Sequence, residues 1–144
     1  MEKQNYRNHP RYVPLFHFVT FTLVVLTLIG ATIKLVTAFA GGENIILATQ
    51  FFAVSLILVS FFFFQRRFAL RAQDRAIRAE ENLRHFSLTG KLLDGKVSMA
   101  QVIALRFASD EEFVGLAQKA AADRLTNDDI KRAVQNWRGD YHRA

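Results

Sequence analysis

Residues 45–64, IILATQFFAVSLILVSFFFF, carry no charge and run into QRRFALRAQDRAIRAEENLRHF without a Gly or Pro between them. About 20 apolar residues suffice for a helix to cross the ~30 Å hydrocarbon core of a bilayer. Every backbone N–H and C=O there must be paired within the segment, which leaves a helix as the workable form. Nothing in the following residues stops that helix. The pattern therefore predicts a spanning helix over 45–64 that continues as a basic stalk over 65–86.

A second apolar run lies before it. Residues 15–38 hold 14 Leu, Ile, Phe or Val, each favouring insertion by roughly 0.3–0.6 kcal/mol. Lys34 opposes this by about 3 kcal/mol at the bilayer centre and by less near an end, where its stem can snorkel. Insertion wins. A cleaved signal sequence is the rival, because Ala38-Phe39-Ala40 resembles a cleavage site, but the run is too long for a signal core and contains a Lys. Pro14 suits the first helical turn, and Gly41-Gly42-Glu43-Asn44 is a turn cluster. So short a connection implies an antiparallel pair.

Positive charge orients the pair. Lys3, Arg7 and Arg11 precede the first run, Arg66, Arg67, Arg71, Arg75 and Arg78 follow the second, and the turn between has none. Both termini are expected on the cytoplasmic side. Tyr12, Arg66, Arg67 and Phe68 read as anchors at the membrane interface, facing anionic headgroups.

Two sets of residues are candidate sites. Within the pair, Thr20, Thr27, Gly30, Ala31, Lys34 and Ala38 fall near one helical face, with Thr49, Ala53 and Ser60 on the other helix, a seam suited to close packing in lipid. Lys34 and Gln50 should lie at similar depth, with Glu43 above them. They read either as an ion or substrate site or as a lysine snorkelling to a polar partner. On the stalk, Ala69, Ala72, Ala76, Ala79, Leu83 and Phe86 repeat at 3-4 spacing, a helical seam that wants a partner helix. That partner is either the chain's own C-terminal helices or a second stalk. Asp74–Arg78 and Glu80–Arg84 are spaced as i,i+4 ion pairs, and Arg67, Arg71, Arg75 and Arg78 form a basic stripe.

Residues 87–97 read as a linker. They match G-x-x-x-x-G-K at Gly90, Gly95 and Lys96, but Val97 replaces the Ser or Thr that a phosphate loop needs, and no strand precedes it. Three short helices are expected over 98–144: about Ser98–Phe107, a second capped by Ser109 with Glu112 and ending near Ala122, and a third begun by Thr126 with Asp129 and running to about Arg138. Ile130, Val134, Trp137 and Tyr141 share a face of the last. Val102, Ile103, Phe107, Phe113, Leu116, Ala117, Ala120 and Leu125 are further core candidates. Trp137 is also an interaction candidate.

The remaining chemistry is sparse. The 144 residues include no Cys, which excludes disulfides and thiol chemistry. Residues 98–144 carry seven basic and seven acidic side chains, so the net charge of +6 comes from elsewhere and a nucleic-acid-binding domain is not indicated. His9, His17, His85 and His142 are scattered, without metal-ligand spacing. Asp110-Glu111-Glu112 is explained by the dipole of the helix it opens. The chain reads as a non-enzyme with no cofactor.

Residues Gln4-Asn5-Tyr6, Asn8-His9, Tyr12-Val13-Pro14, His17-Phe18, Gln73-Asp74-Arg75, Ile77-Arg78, the stretch 104–112, Ile130-Lys131, Asn136-Trp137-Arg138, Asp140-Tyr141 and Arg143 resemble an uncharacterised bacterial family of small two-span membrane proteins, known only as a domain of unknown function. The resemblance covers nearly the whole chain. It implies an integral inner-membrane protein and supplies no activity or catalytic residue.

The expected architecture is all-α. Residues 1–14 form a cytoplasmic segment, 15–40 the first transmembrane helix, 41–44 the outer turn and 45–64 the second transmembrane helix. The stalk follows over 65–86, the linker over 87–97 and a bundle of three short helices over 98–144. The expected function is that of an accessory subunit, scaffold or regulator. Its partners would be the bilayer and either a membrane or cytoplasmic protein or further copies of itself. The alternative is a homo-oligomeric channel or transporter component using Lys34 and Gln50.

Overall fold

The computed structural model describes residues 4–8, 13–42 and 44–140. Among them it is all-helical: α1 (Leu15–Gly41), α2 (Ile45–Thr89), α3 (Met99–Leu105), α4 (Asp110–Ala122) and α5 (Asn127–Ala133), with no strand. The chain divides into two compact units, Arg11–Phe68 and Met1–Pro10 with Ala69–Ala144. Helix α2 contributes to both.

In the unit of 11–68, α1 follows Pro14, whose missing N–H costs nothing at a helix start. Its first residues, Leu15–Thr20, form a wide π-type turn, and the Thr20 hydroxyl donates to the Leu15 carbonyl at 2.9 Å. Gly42 ends α1 in the left-handed region at φ 73°, its N–H bonded to Ala38. Both α1 and α2 are long and apolar enough to cross a membrane.

The covered positions keep a 3-4 rhythm. Ala31 and Ala38 are buried and Val24, Leu28 and Leu35 half-buried on α1; Ala48 and Ser55 are buried and Phe52, Val59 and Phe62 half-buried on α2. On each helix these positions fall along one face. The Phe16 and Phe62 rings stack at 4.6 Å, and the Arg66 guanidinium lies 5.6 Å from the Phe16 ring centre.

This corrects the expected polar seam. Only Ala31 and Ala38 of that set are covered, while Thr20, Thr27, Gly30, Lys34, Thr49, Ala53 and Ser60 are exposed. The hydroxyls need no neighbouring helix, since Thr27, Thr49 and Ser60 donate to carbonyls four residues back in their own helix at 2.7–2.9 Å.

In the other unit, α3, α4 and α5 have 7, 13 and 7 residues, too short to be stable alone. The starts of α3 and α5 are reciprocal capping boxes, Ser98 with Gln101 and Thr126 with Asp129, and at the start of α4 the Glu112 carboxylate accepts the Ser109 N–H. Such caps contribute about 1 kcal/mol apiece. The buried Gln101 amide also donates to the carbonyls of Ala120 and Leu125 at 2.8 and 2.9 Å. It thereby ties α3 to the end of α4 and the turn beyond. Leu105, Phe107, Phe113 and Ile130 are the largest fully buried apolar side chains in this unit. Leu93 and Val97, read from sequence as linker, also belong to the core, as does Ile77 of α2.

Two turns use positive φ. Gly90 ends α2 at φ 73° and Arg124 follows α4 at φ 51°. An L side chain there costs roughly 1–2 kcal/mol, so Arg124→Gly should raise the unfolding free energy by up to about 1 kcal/mol after glycine's entropy cost. Gly90→Ala should lower it by about 1 kcal/mol, although a Cβ there meets nothing within 4 Å. Denaturant titration followed by far-UV circular dichroism in detergent checks both signs.

Candidate functional site

The organising group in the unit containing residues 69–144 is a guanidinium. Arg84, on α2, reaches Glu81 at 3.1 Å and Asp110 at 2.6 Å. It donates to the Ala108 carbonyl at 2.7 Å and lies 4.3 Å from the Phe113 ring centre. Arg84 and Glu81 are both nearly buried, so each charge depends on the other and on the fixed dipoles around it. Burial pushes the Glu81 carboxyl above its ordinary value, against the opposing hydrogen bond and charge of Arg84.

The expected ion pairs along the stalk are absent. Arg84 turns to Glu81 and Asp110 rather than Glu80, and Arg78 donates to the Val97 carbonyl at 3.3 Å rather than pairing with Asp74. Arg84 thereby meets the buried Glu81 carboxylate in place of the exposed Glu80, and Arg78 meets a backbone carbonyl of the buried Val97.

A second polar centre gathers the chain's ends. The Glu112 carboxylate accepts the N–H groups of Ser109 at 3.2 Å, Gln135 at 3.0 Å and Asn136 at 3.1 Å. Beyond it, the Arg138 N–H donates to the Phe107 carbonyl at 2.8 Å, and Ala108 and Trp137 form an antiparallel bridge. The Gln4 side-chain amide then brackets Asp140: it accepts the Asp140 N–H at 2.9 Å and donates to the Asp140 carbonyl at 3.2 Å. Arg106, buried, pairs with the Asp140 carboxylate at 3.0 Å. The Tyr6 hydroxyl donates to Asp128 at 2.6 Å beneath the Arg132 guanidinium, and this hydrogen bond holds the Asp128 carboxyl below its usual range.

These bonds correct the expected last helix. It ends at Ala133, and Val134 is already extended at ψ 119°. The N–H groups that a longer helix would have turned back on itself are taken by Glu112 and Phe107. The apolar spacing of Ile130, Val134 and Trp137 suits a short helix followed by an extended strip equally well. Trp137 lies half-buried against the Phe107 ring at 4.9 Å, so it is part of the core edge. An open cleft of about 650 Å3 runs between Gln4 and Asn5, the start of α4 and residues 135–138. Amide and carboxylate side chains line it together with Ser109, Trp137 and Arg138.

Lys34 and Gln50 are both exposed. Tyr12 and Glu43 lie outside the described residues, as do Lys3, His9, Pro10, Arg11, Tyr141, His142 and Arg143. Arg67 and Phe68 are exposed, and Phe68 stacks on Phe64 at 6.2 Å. His17 hydrogen-bonds the Val13 backbone. In the Gly90–Lys96 loop the Lys96 and Val97 N–H groups both bond to Asp94, and Val97 is buried in the core. Among the described residues no three His, Asp or Glu side chains gather as a metal-holding group.

The stalk seam is uncovered within the chain. Ala69, Ala72, Ala76, Ala79, Leu83 and Phe86 are all exposed. The covered positions are Leu70, Gln73, Ile77, Glu81 and Arg84, on the opposite side of the helix. The chain's own C-terminal helices therefore do not fill the seam.

A model of a family of unknown function, DUF6526, matches residues 1–144. The chain belongs to that family. No curated protein and no solved structure matches it. The segments carrying the sequence resemblance meet in this DUF6526 chain: Gln4 bonds Asp140, Tyr6 bonds Asp128, and Glu112 bonds Gln135 and Asn136.

Removing Arg84 leaves Glu81 buried and uncompensated, so Arg84→Ala should cost about 3–5 kcal/mol of stability, read from denaturant titration. For Glu81 the folded carboxyl titrates above its ordinary value of 4.5, so the folded state binds more protons than the unfolded state just above that pH. Stability then falls as pH rises through the window. Glu81→Gln should remove this slope. The melting temperature of the variant relative to the parent should rise from pH 4 to pH 8, and a flat difference would count against the assignment.

Proposed function

We propose that this chain is a two-span integral membrane protein, without enzymatic activity, acting as an accessory subunit, scaffold or regulator through its cytoplasmic helices. The observation that carries the interaction reading is the uncovered stalk seam. Leu83 and Phe86 are 68% and 52% exposed, and the seam runs over 18 residues with its own bundle on the other side. A row of exposed alanines ending in large apolar side chains suits a helix taken from another molecule.

Support for membrane insertion comes from α1 and α2. Only 11% of each apolar window is buried, whereas a soluble core helix would be mostly covered. The exposed rings and branched side chains suit lipid. Support for a hairpin comes from the Phe16–Phe62 stack and from the positive φ of Gly42 and of Asn44 between the two helices. Support for a shared side of both termini comes from the Gln4–Asp140 and Tyr6–Asp128 bonds, because segments that touch cannot lie on opposite faces of a bilayer. The arginines after residue 64 make that side cytoplasmic.

The reading predicts that the tagged full-length chain, extracted in mild detergent, brings down a stoichiometric partner or further copies of itself. It further predicts that Leu83→Asp with Phe86→Asp abolishes this at unchanged helix content. Recovery of a monomer alone, with and without the substitutions, contradicts it. The exposed positions of Lys34 and Gln50 favour a second reading, an oligomeric channel with these groups on inter-subunit surfaces. Lys34→Ala should then alter ion flux in reconstituted vesicles, and vesicles with no flux remove this reading.

A further inference from the structure

We infer that the stalk seam is the meeting surface of two copies of this chain, paired parallel and in register, with Arg75 of each opposite Glu80 of the partner subunit. This rests on the reading of the stalk as an interaction helix and names its occupant. The 3-4 rhythm puts Ala69, Ala76 and Leu83 at one core position of a seven-residue repeat and Ala72, Ala79 and Phe86 at the other. The flanking position before the first core residue then holds Phe68, Arg75 and Asn82. The flanking position after the second holds Gln73, Glu80 and Ser87. In a parallel pair, the first flank of one helix faces the second flank of its partner five residues on. Arg75 thus meets the partner's Glu80, and two-fold symmetry makes the contact twice.

An antiparallel pair sets like flanks against each other. Arg75 then faces a Phe, Arg or Asn, and Glu80 a Gln, Glu or Ser, so no opposite charges meet. Copies inserted in a membrane with one topology also present their stalks in the same direction.

Within the chain these charges are unused. Both Arg75 and Glu80 are exposed, and the ion pairs among the described residues involve neither. Glu80 loses its expected partner because Arg84 is drawn to Glu81 and Asp110. Alanine at the core positions lets two helix axes approach to about 8 Å, and Leu83 and Phe86 supply most of the buried area. A seam of about 27 Å is weak between free peptides. Anchorage in one membrane raises the local concentration and offsets this.

The chain has no Cys, so single cysteines report contacts cleanly, and Ala→Cys on an exposed helix face leaves the fold intact. In membranes of cells expressing the full chain, Ala76→Cys and Ala79→Cys should each form disulfide-linked dimers under mild oxidation, since core positions of parallel pairs fall within disulfide reach. Arg71→Cys, exposed on another face, should not. In an Ala76→Cys background, Arg75→Glu or Glu80→Arg should each cut the dimer on the order of 10-fold, and the two together should restore it. Equal linking at all three positions, or no restoration by the double exchange, overturns the pairing. Linking of Ala76→Cys to a different protein with none to itself overturns the second copy and leaves the interaction helix standing. No product of either kind at residues 76 and 79, with photo-crosslinkers as well as with oxidant, removes both.

Discussion

A guanidinium can be buried only where its charge is met, and Arg84 sets the terms on which α2 joins the bundle. One carboxylate from its own helix, one from the start of α4, a backbone carbonyl and an aromatic face enclose it. Each contact is directional, so together they define how the stalk rotates against α4. With Arg84 turned inward, Ile77 and Glu81 face the bundle and Ala76, Ala79 and Leu83 face away. The uncovered seam is thus a consequence of where one buried charge finds its partners.

The same logic runs through the chain's ends. Glu112 competes with helix propagation for the backbone N–H groups of Gln135 and Asn136 and wins after Val134, because a carboxylate accepting several N–H groups is a stronger acceptor than a neutral carbonyl. The cost of leaving α5 short is met by bonds to residues distant in sequence. Segment 4–8 thereby becomes part of a unit formed otherwise by residues from 69 onward, and the C-terminal bundle, marginal by size alone, gains a further layer of contacts.

How much was legible follows from which signals are local. Two short-helix starts, at Ser109 and Thr126, are legible because a capping box is a signal across three residues, and the two long apolar helices because length and composition suffice. The partner of the stalk seam stays open in the sequence because periodicity identifies faces without saying which is covered. The face that the bundle covers carries the polar Gln73, Glu81 and Arg84, which no local pattern marks as buried. The threonine and glycine seam of α1 and α2 misleads for a related reason: Thr hydroxyls satisfied by their own helix resemble hydroxyls waiting for a neighbour. Glu112 is legible as a capping and dipole partner, but nothing local marks it as the acceptor for Gln135 and Asn136.

Sequence alone determined the helical class, the lengths and apolarity of α1 and α2, the turn after α1 and the capped starts of the short helices, because each depends on contacts within a few residues. Tertiary structure alone decided that Arg84 and Arg106 are buried, that the last helix stops at Ala133, that residues 4–8 join the C-terminal unit, and that the alanine seam stays open. Those outcomes depend on which distant donor or acceptor outcompetes the local one, and a linear pattern does not encode that balance.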